Sequence, residues 1–144
     1  MANNKALINT LNRVLMFRNL NQRQIKFLAK QFTEREYAAD ETIVTQGEVG
    51  IGFYVLVVGH AQAVRTLPDG EKVVVNTFDP GDFFGELALL DEGPRTASVI
   101  ATEPTTCLLL TRWDFLAVLK DDAETAIGVL QAVATRLRGM LDAA

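Results

Sequence analysis

This chain of 144 residues has little of the chemistry-bearing residue types: one cysteine, one histidine, one tryptophan and four prolines. A single cysteine excludes an intrachain disulfide framework and suits a reducing compartment. Cys107 stands in the apolar run Cys107-Leu108-Leu109-Leu110, where a free thiol acts as a small buried hydrophobe. The lone His60 follows Gly59 in a turn, with no second His or Cys to complete a metal-ligand set. No Ser/His/Asp set and no thiol beside a base can be assembled, so the chain is not expected to be an enzyme. The carboxylate pairs Asp91-Glu92 and Asp121-Asp122 fall in a turn and at a helix start, where they read as solvated charge. Basic residues are outnumbered, 14 against 18, for a net charge of −4. That balance argues against a nucleic-acid surface but leaves room for one local anion site. No apolar run approaches the roughly 20 residues of a membrane span. Met-Ala-Asn-Asn-Lys at the N-terminus does not resemble a signal peptide. A soluble, cytoplasmic protein is expected.

What is present is apolar patterning. A hydrophobic fraction of 49% predicts one globular domain over 1–144 with a substantial core. Leu7, Leu11, Val14 and Leu15 recur at helical spacing, and a second helix opens at Asn21-Gln22-Arg23-Gln24 with Ile25, Leu28 and Phe32 on one face. The middle changes period. Residues 41–45, 53–58, 62–67, 71–78, 97–101 and 106–111 read as short strands, separated by turns at Gln46-Gly47-Glu48, Gly59, Pro68-Asp69-Gly70 and Asp79-Pro80-Gly81-Asp82. Helix returns with a short segment at 113–119 and a longer one from Asp121. The longer helix carries the stripe Ile127, Leu130, Val133, Leu137 and Leu141. Its charges complement the helix dipole, with Asp121, Asp122 and Glu124 near the start and Arg136 and Arg138 near the end. The predicted class is α+β: a β-roll of jelly-roll type flanked by N-terminal and C-terminal helices. The helices cover about 4–33, the roll about 36–111 and the C-terminal helices about 112–142.

One stretch stands apart, Phe84-Gly85-Glu86-Leu87-Ala88-Leu89-Leu90 followed by Pro94-Arg95-Thr96-Ala97. Residues 86–90 have room for about one and a half helical turns, whose start offers unpaired N–H groups. Gly85 and Ala88 permit close approach to the backbone. Arg95 can grip a phosphate through two parallel hydrogen bonds, and Glu86 supplies an acceptor for a hydroxyl. A ligand with a phosphate, a ribose and an apolar ring fits this set. A structural Glu86–Arg95 ion pair closing a loop fits it equally.

These residues, in this order, resemble the phosphate-binding cassette of cyclic nucleotide-binding domains, the module of protein kinase A regulatory subunits, cyclic nucleotide-gated channels and the bacterial catabolite activator protein. Glu41-Thr42-Ile43, Gln46-Gly47-Glu48, Phe53-Tyr54-Val55-Leu56, Gly59 and Pro80-Gly81-Asp82-Phe83 extend the resemblance to roughly residues 12–140. Val57 and Val58 depart from it, standing where the family often has a polar residue. The resemblance implies a cassette over 84–97. In it Glu86 accepts from the ribose 2′-OH, and Arg95 pairs with the phosphate. Backbone N–H groups of Ala88 and Thr96 donate to the same phosphate, and Phe84, Gly85, Leu87 and Ala97 shape the site. Val64 and Val75 are the candidates for the purine wall, with Asn76 as a polar contact. Arg136, Met140 or Leu141 is the candidate to close over the base. The implied ligand is cAMP, with cGMP as the alternative, since a threonine at position 96 occurs with both.

With no kinase, channel or helix-turn-helix segment following, the reading is a stand-alone cyclic nucleotide sensor. Its cassette residues Leu89 and Leu90 would release or recruit the C-terminal helix to an unknown downstream protein. The alternatives are a protein-interaction module without nucleotide, in which the stripe on the last helix pairs with a second copy or a partner, and a regulatory fragment of a longer transcription regulator or channel. That stripe is equally read as packing on its own roll.

Overall fold

Turns at the predicted glycines and prolines cut the middle of the chain into eight strands: β1 (Thr33–Tyr37), β2 (Thr42–Val44), β3 (Gly52–Val58), β4 (Ala61–Thr66), β5 (Lys72–Phe78), β6 (Phe83–Phe84), β7 (Ser98–Ala101) and β8 (Thr105–Thr111). A computed structural model describes residues 4–143, which fall into two compact units, residues 32–112 and residues 4–31 with 113–143. In the first unit the strands form two four-stranded antiparallel sheets, ordered β1-β8-β3-β6 and β2-β7-β4-β5. Period-2 patterning sends alternate side chains inward. Tyr54, Leu56, Phe84, Cys107 and Leu109 of one sheet share a buried core with Ile43, Ala61, Ala63, Phe78, Val99 and Ala101 of the other. This is the expected β-roll.

β1 was not among the expected strands. Its residues, Thr-Glu-Arg-Glu-Tyr, are mostly exposed and carry no apolar alternation. They are extended because they pair with β8, Thr33 opposite Leu109 and Tyr37 opposite Thr105. The second helix correspondingly stops at Ala29, and Phe32 lies outside it, edge-on to Phe53 at 5.9 Å.

In the second unit α1 (Asn4–Leu11) is followed by a 3-10 turn at Leu15–Phe17 and by α2 (Gln22–Ala29). A reciprocal capping box starts α2: Asn21 Oδ1 accepts from Gln24 N at 2.9 Å, and Gln24 Oε1 accepts from Asn21 N at 2.8 Å. α3 (Arg112–Asp121) and α4 (Ala123–Ala143) close the chain. Phe17 meets Phe115 at 5.9 Å, and Gly128 of α4 leaves room for Leu20. The buried side of α4 is Thr125, Gly128, Val129 and Ala132. The stripe lies on the other side: Ile127, Leu130, Leu137 and Leu141 are 51–67% exposed and Val133 is 37% exposed.

Candidate functional site

Phe84 ends β6 and the backbone then turns through Gly85 at φ +80°. A Cβ here would run into Arg95 Nη1, so both conformation and space demand glycine. Glu86–Leu89 forms one 3-10 turn, shorter than the expected helical segment and with little dipole of its own. The Ala88 N–H is engaged there with the Gly85 carbonyl at 3.1 Å. The chain returns through Pro94, and the Gln46-Gly47-Glu48 turn fixes Arg95 from both sides. Arg95 N donates to Glu48 O at 2.8 Å, and Gly47 N donates to Arg95 O at 2.8 Å.

These segments bound a cavity of about 380 Å³, within the range of small-ligand sites. Its apolar surface comes from Val44, Ala63, Val75, Phe78, Phe84 and Val99, with Asn76 beside Val75. Phe84 is stiffened by stacking on Tyr54, centroids 5.0 Å apart and planes 7° from parallel. Gly85, Glu86, Leu87, Ala88, Asp91 and residues 93–97 complete the lining. Of the expected site residues, Phe84, Gly85, Glu86, Leu87, Ala88, Arg95, Thr96, Ala97, Val75 and Asn76 meet around this one cavity. Asn76 Oδ1 accepts from Thr77 N at 2.9 Å, which leaves its amide nitrogen as the group available to a ligand.

Arg95 is the electrostatic centre. Its Nη2 donates to the Gly52 carbonyl at 2.7 Å, and its guanidinium carbon lies 5.8 Å from the centre of the Tyr54 ring. Its Nε is buried without a hydrogen-bond partner. Burial pulls its pKa below the usual arginine value, opposed by Tyr54 and Glu86. Among the described residues no ion pair joins Arg95 to Glu86, so the loop is not closed by the ion pair that the sequence also admitted. A part-buried cation held by a carbonyl and a ring has room for an anion in the cavity as its counter-charge.

Val64 is not among the lining residues. Ala63 and Arg65 line the cavity instead, and the register shift opposite them leaves Val75 of β5 as the extra residue. Choosing the more apolar side chain picked the wrong face of the strand. Arg65 is thereby a residue the sequence reading missed. Its Nε donates to Thr96 O at 3.3 Å, which places a second guanidinium on the cavity wall. Its signal was parity alone, two positions after Ala63 and four after Ala61. Arg136 and Met140 belong to the helical unit, where they line a separate cavity with Leu15 and Arg18, while Leu141 is 66% exposed.

A family model for the cyclic nucleotide-binding domain matches residues 34–122. The chain is 33% identical over 123 residues to a cyclic AMP receptor protein of Thermus thermophilus, covering 85% of this chain and 57% of that protein. It is 35% identical over 117 residues to a cAMP-dependent protein kinase regulatory subunit of Yarrowia lipolytica, covering 81% of this chain and 30% of that one. It thus spans little more than half of one curated relative and under a third of the other. Among solved structures, the N-terminal domain of a transcriptional regulator from Streptomyces coelicolor A3(2) superposes with a TM-score of 0.83 at 34% identity, covering 93% of this chain and 94% of that one. With this agreement added to the cassette geometry, the chain belongs to the cyclic nucleotide-binding domain family, a family of regulatory ligand-binding domains and not of enzymes.

Proposed function

We propose that the chain is a cyclic nucleotide-binding and sensing domain, with cAMP as its ligand and cGMP as the alternative. The observation that carries the reading is Arg95: a part-buried guanidinium on a ligand-sized cavity, without a carboxylate partner among the described residues and with its buried Nε unpaired. In this reading Arg95 takes the phosphate, Glu86 accepts from the ribose 2′-OH, and Ala88 and Thr96 contribute backbone N–H groups once the 3-10 turn adjusts. Phe84, Gly85, Leu87 and Ala97 shape the ribose and phosphate end. The purine lies toward Val75 and Asn76, with Ala63 and Arg65 in the place first given to Val64. The names of the two curated relatives support cAMP.

The domain acts as a cytoplasmic module whose output is carried by α4. A ligand biases that output only by its differential affinity for two states. A ~100-fold preference supplies about 2.7 kcal/mol. The exposed stripe supports a second copy as the partner of α4: Ile127, Leu130, Val133, Leu137 and Leu141 are all exposed, and with the exposed Ala134 taken in place of Val133 the spacing is 3, 4, 3 and 4, that of a coiled-coil seam. Arg136, Met140 and Leu141 then serve that helix, as base-closing or seam residues. A second reading, the regulatory part of a longer transcription regulator, is favoured by the relatives' greater length.

Calorimetric titration of cAMP and cGMP tests the proposal, with Arg95→Ala as control. Micromolar or tighter binding of either nucleotide is expected. The mutant should lose about 100-fold or more, the loss of two charge-assisted hydrogen bonds. Wild-type protein that binds neither, or a mutant that binds as well, overturns it.

A further inference from the structure

A second arginine lies behind the first. Arg112 opens α3 and is only 8% exposed. Its Nη1 donates to three backbone carbonyls: Gly50 at 2.8 Å, Ala88 at 3.1 Å and Asp91 at 3.1 Å. Its Nη2 lies 3.6 Å from the exposed Glu92 carboxylate. Two of the carbonyls belong to the 3-10 turn of the cassette and the residue after its cap. The third belongs to the loop between β2 and β3.

That loop is one wall of the Arg95 slot. A Cβ added at Gly50 would sit 2.7 Å from Arg95 Nε and Cζ and 2.9 Å from the Ala88 Cβ. Gly50 and Ala88 therefore approach each other and the Arg95 side chain closely, and their carbonyls converge on one guanidinium. Among the described residues no carboxylate pairs with Arg95. Its own anchors are the carbonyl of Gly52, where that loop enters β3, and the Tyr54 ring. The slot's shape thus depends on what holds the loop against the turn.

We infer that Arg112 is a positioning residue for Arg95: by binding the carbonyls of Gly50, Ala88 and Asp91 it fixes the slot that aims the Arg95 guanidinium into the cavity. All three carbonyls meet one nitrogen, Nη1, while Nη2 faces Glu92, so the rigid guanidinium plane fixes both directions at once. A lysine keeps the charge but is one bond shorter and has no second nitrogen to hold it in place. The consequence for affinity rests on the nucleotide reading; the consequence for Arg95 itself does not.

The test is Arg112→Lys, with Gly50→Ala closing the same slot from the other side, and thermal melts to confirm folding. In the unliganded protein the Arg95 Nε–H resonance, assigned by its loss in Arg95→Ala, should exchange slowly with water. Its exchange should accelerate about tenfold or more in either variant, as a buried group becomes reachable. Affinity for cAMP or cGMP should fall about tenfold in Arg112→Lys and hardly further when the change is made in an Arg95→Lys background, because residues acting through one another are non-additive. Unchanged Nε–H exchange in both variants overturns the proposal, and so does an equal loss of affinity in both backgrounds, the mark of a general structural role. If the wild type binds neither nucleotide, the functional reading falls, and the exchange measurement still decides the role of Arg112.

Discussion

In the proposed reading Glu86 and Arg95 divide the work of the site by chemistry. An acceptor-only carboxylate suits a hydroxyl, and a donor-only guanidinium suits a phosphate. Both line the cavity without pairing to each other, which leaves each group's capacity for a ligand. Glu86→Gln is therefore expected to weaken cAMP binding by about tenfold, the value of one charge-assisted hydrogen bond. It should leave binding of the 2′-deoxy analogue nearly unchanged. Competition titrations with the two nucleotides check this, and an equal loss for both would remove Glu86 from the hydroxyl. At this scale the cassette was legible because acceptor, glycine and arginine follow one another within a short stretch. Arg65 was not, because alternation sets which residues share its face but not that this face meets the cavity, which the pairing of β4 between β5 and β7 decides.

Elements differ in how far their own residues decide them. α2 carries its start signal in sequence, and both arms of the capping box form. Asn21→Ala should cost about 1 kcal/mol, read as a lowered midpoint in urea denaturation. β1 carries no such signal; it is an edge strand made of charged residues, ordered by a ladder to residues more than 65 positions away. α4 was legible as a helix, but which of its sides meets protein was not. Small residues, Gly128 and Ala132, lie on the buried side because close approach favours them, and the large aliphatics are left outside. An exposed apolar seam of this length calls for a partner. Leu137→Glu is expected to convert a dimer to a monomer in sedimentation velocity. A wild type that stays monomeric at high concentration would remove the second copy as its partner.

At the scale of the whole molecule, burial stores a dependence on pH. Burial pushes the Cys107 thiol up to about 12 and contributes most to raising Tyr37 to about 12. In the unfolded chain these groups ionise near their ordinary values of about 9 and 10. Both are neutral on either side of folding below about pH 8, so their contribution is fully present there. It is lost as pH rises from about 9 toward 12, where the unfolded chain has released protons that the folded chain retains. Urea midpoints should fall between pH 8.5 and pH 10.5, and the fall should be smaller in Cys107→Ala. A midpoint that is flat over that range would mean the thiol and phenol are open to water.

The residues alone determined the class of this protein and the make-up of its candidate site. Alternating and helical periods delimit most strands and helices locally, and one glycine, one acid and one arginine in a short stretch bring a donor and an acceptor together by their side-chain types. Tertiary structure decided the rest. Strand parity brought Ala63 and Arg65 to the cavity in place of Val64. Pairing with β8 made a strand of Thr33–Tyr37. Close packing of small residues turned the apolar seam of α4 outward. Three converging carbonyls gave Arg112 its place behind the site. Each is a contact between residues distant in sequence, whose energy exists only once the chain has closed on itself.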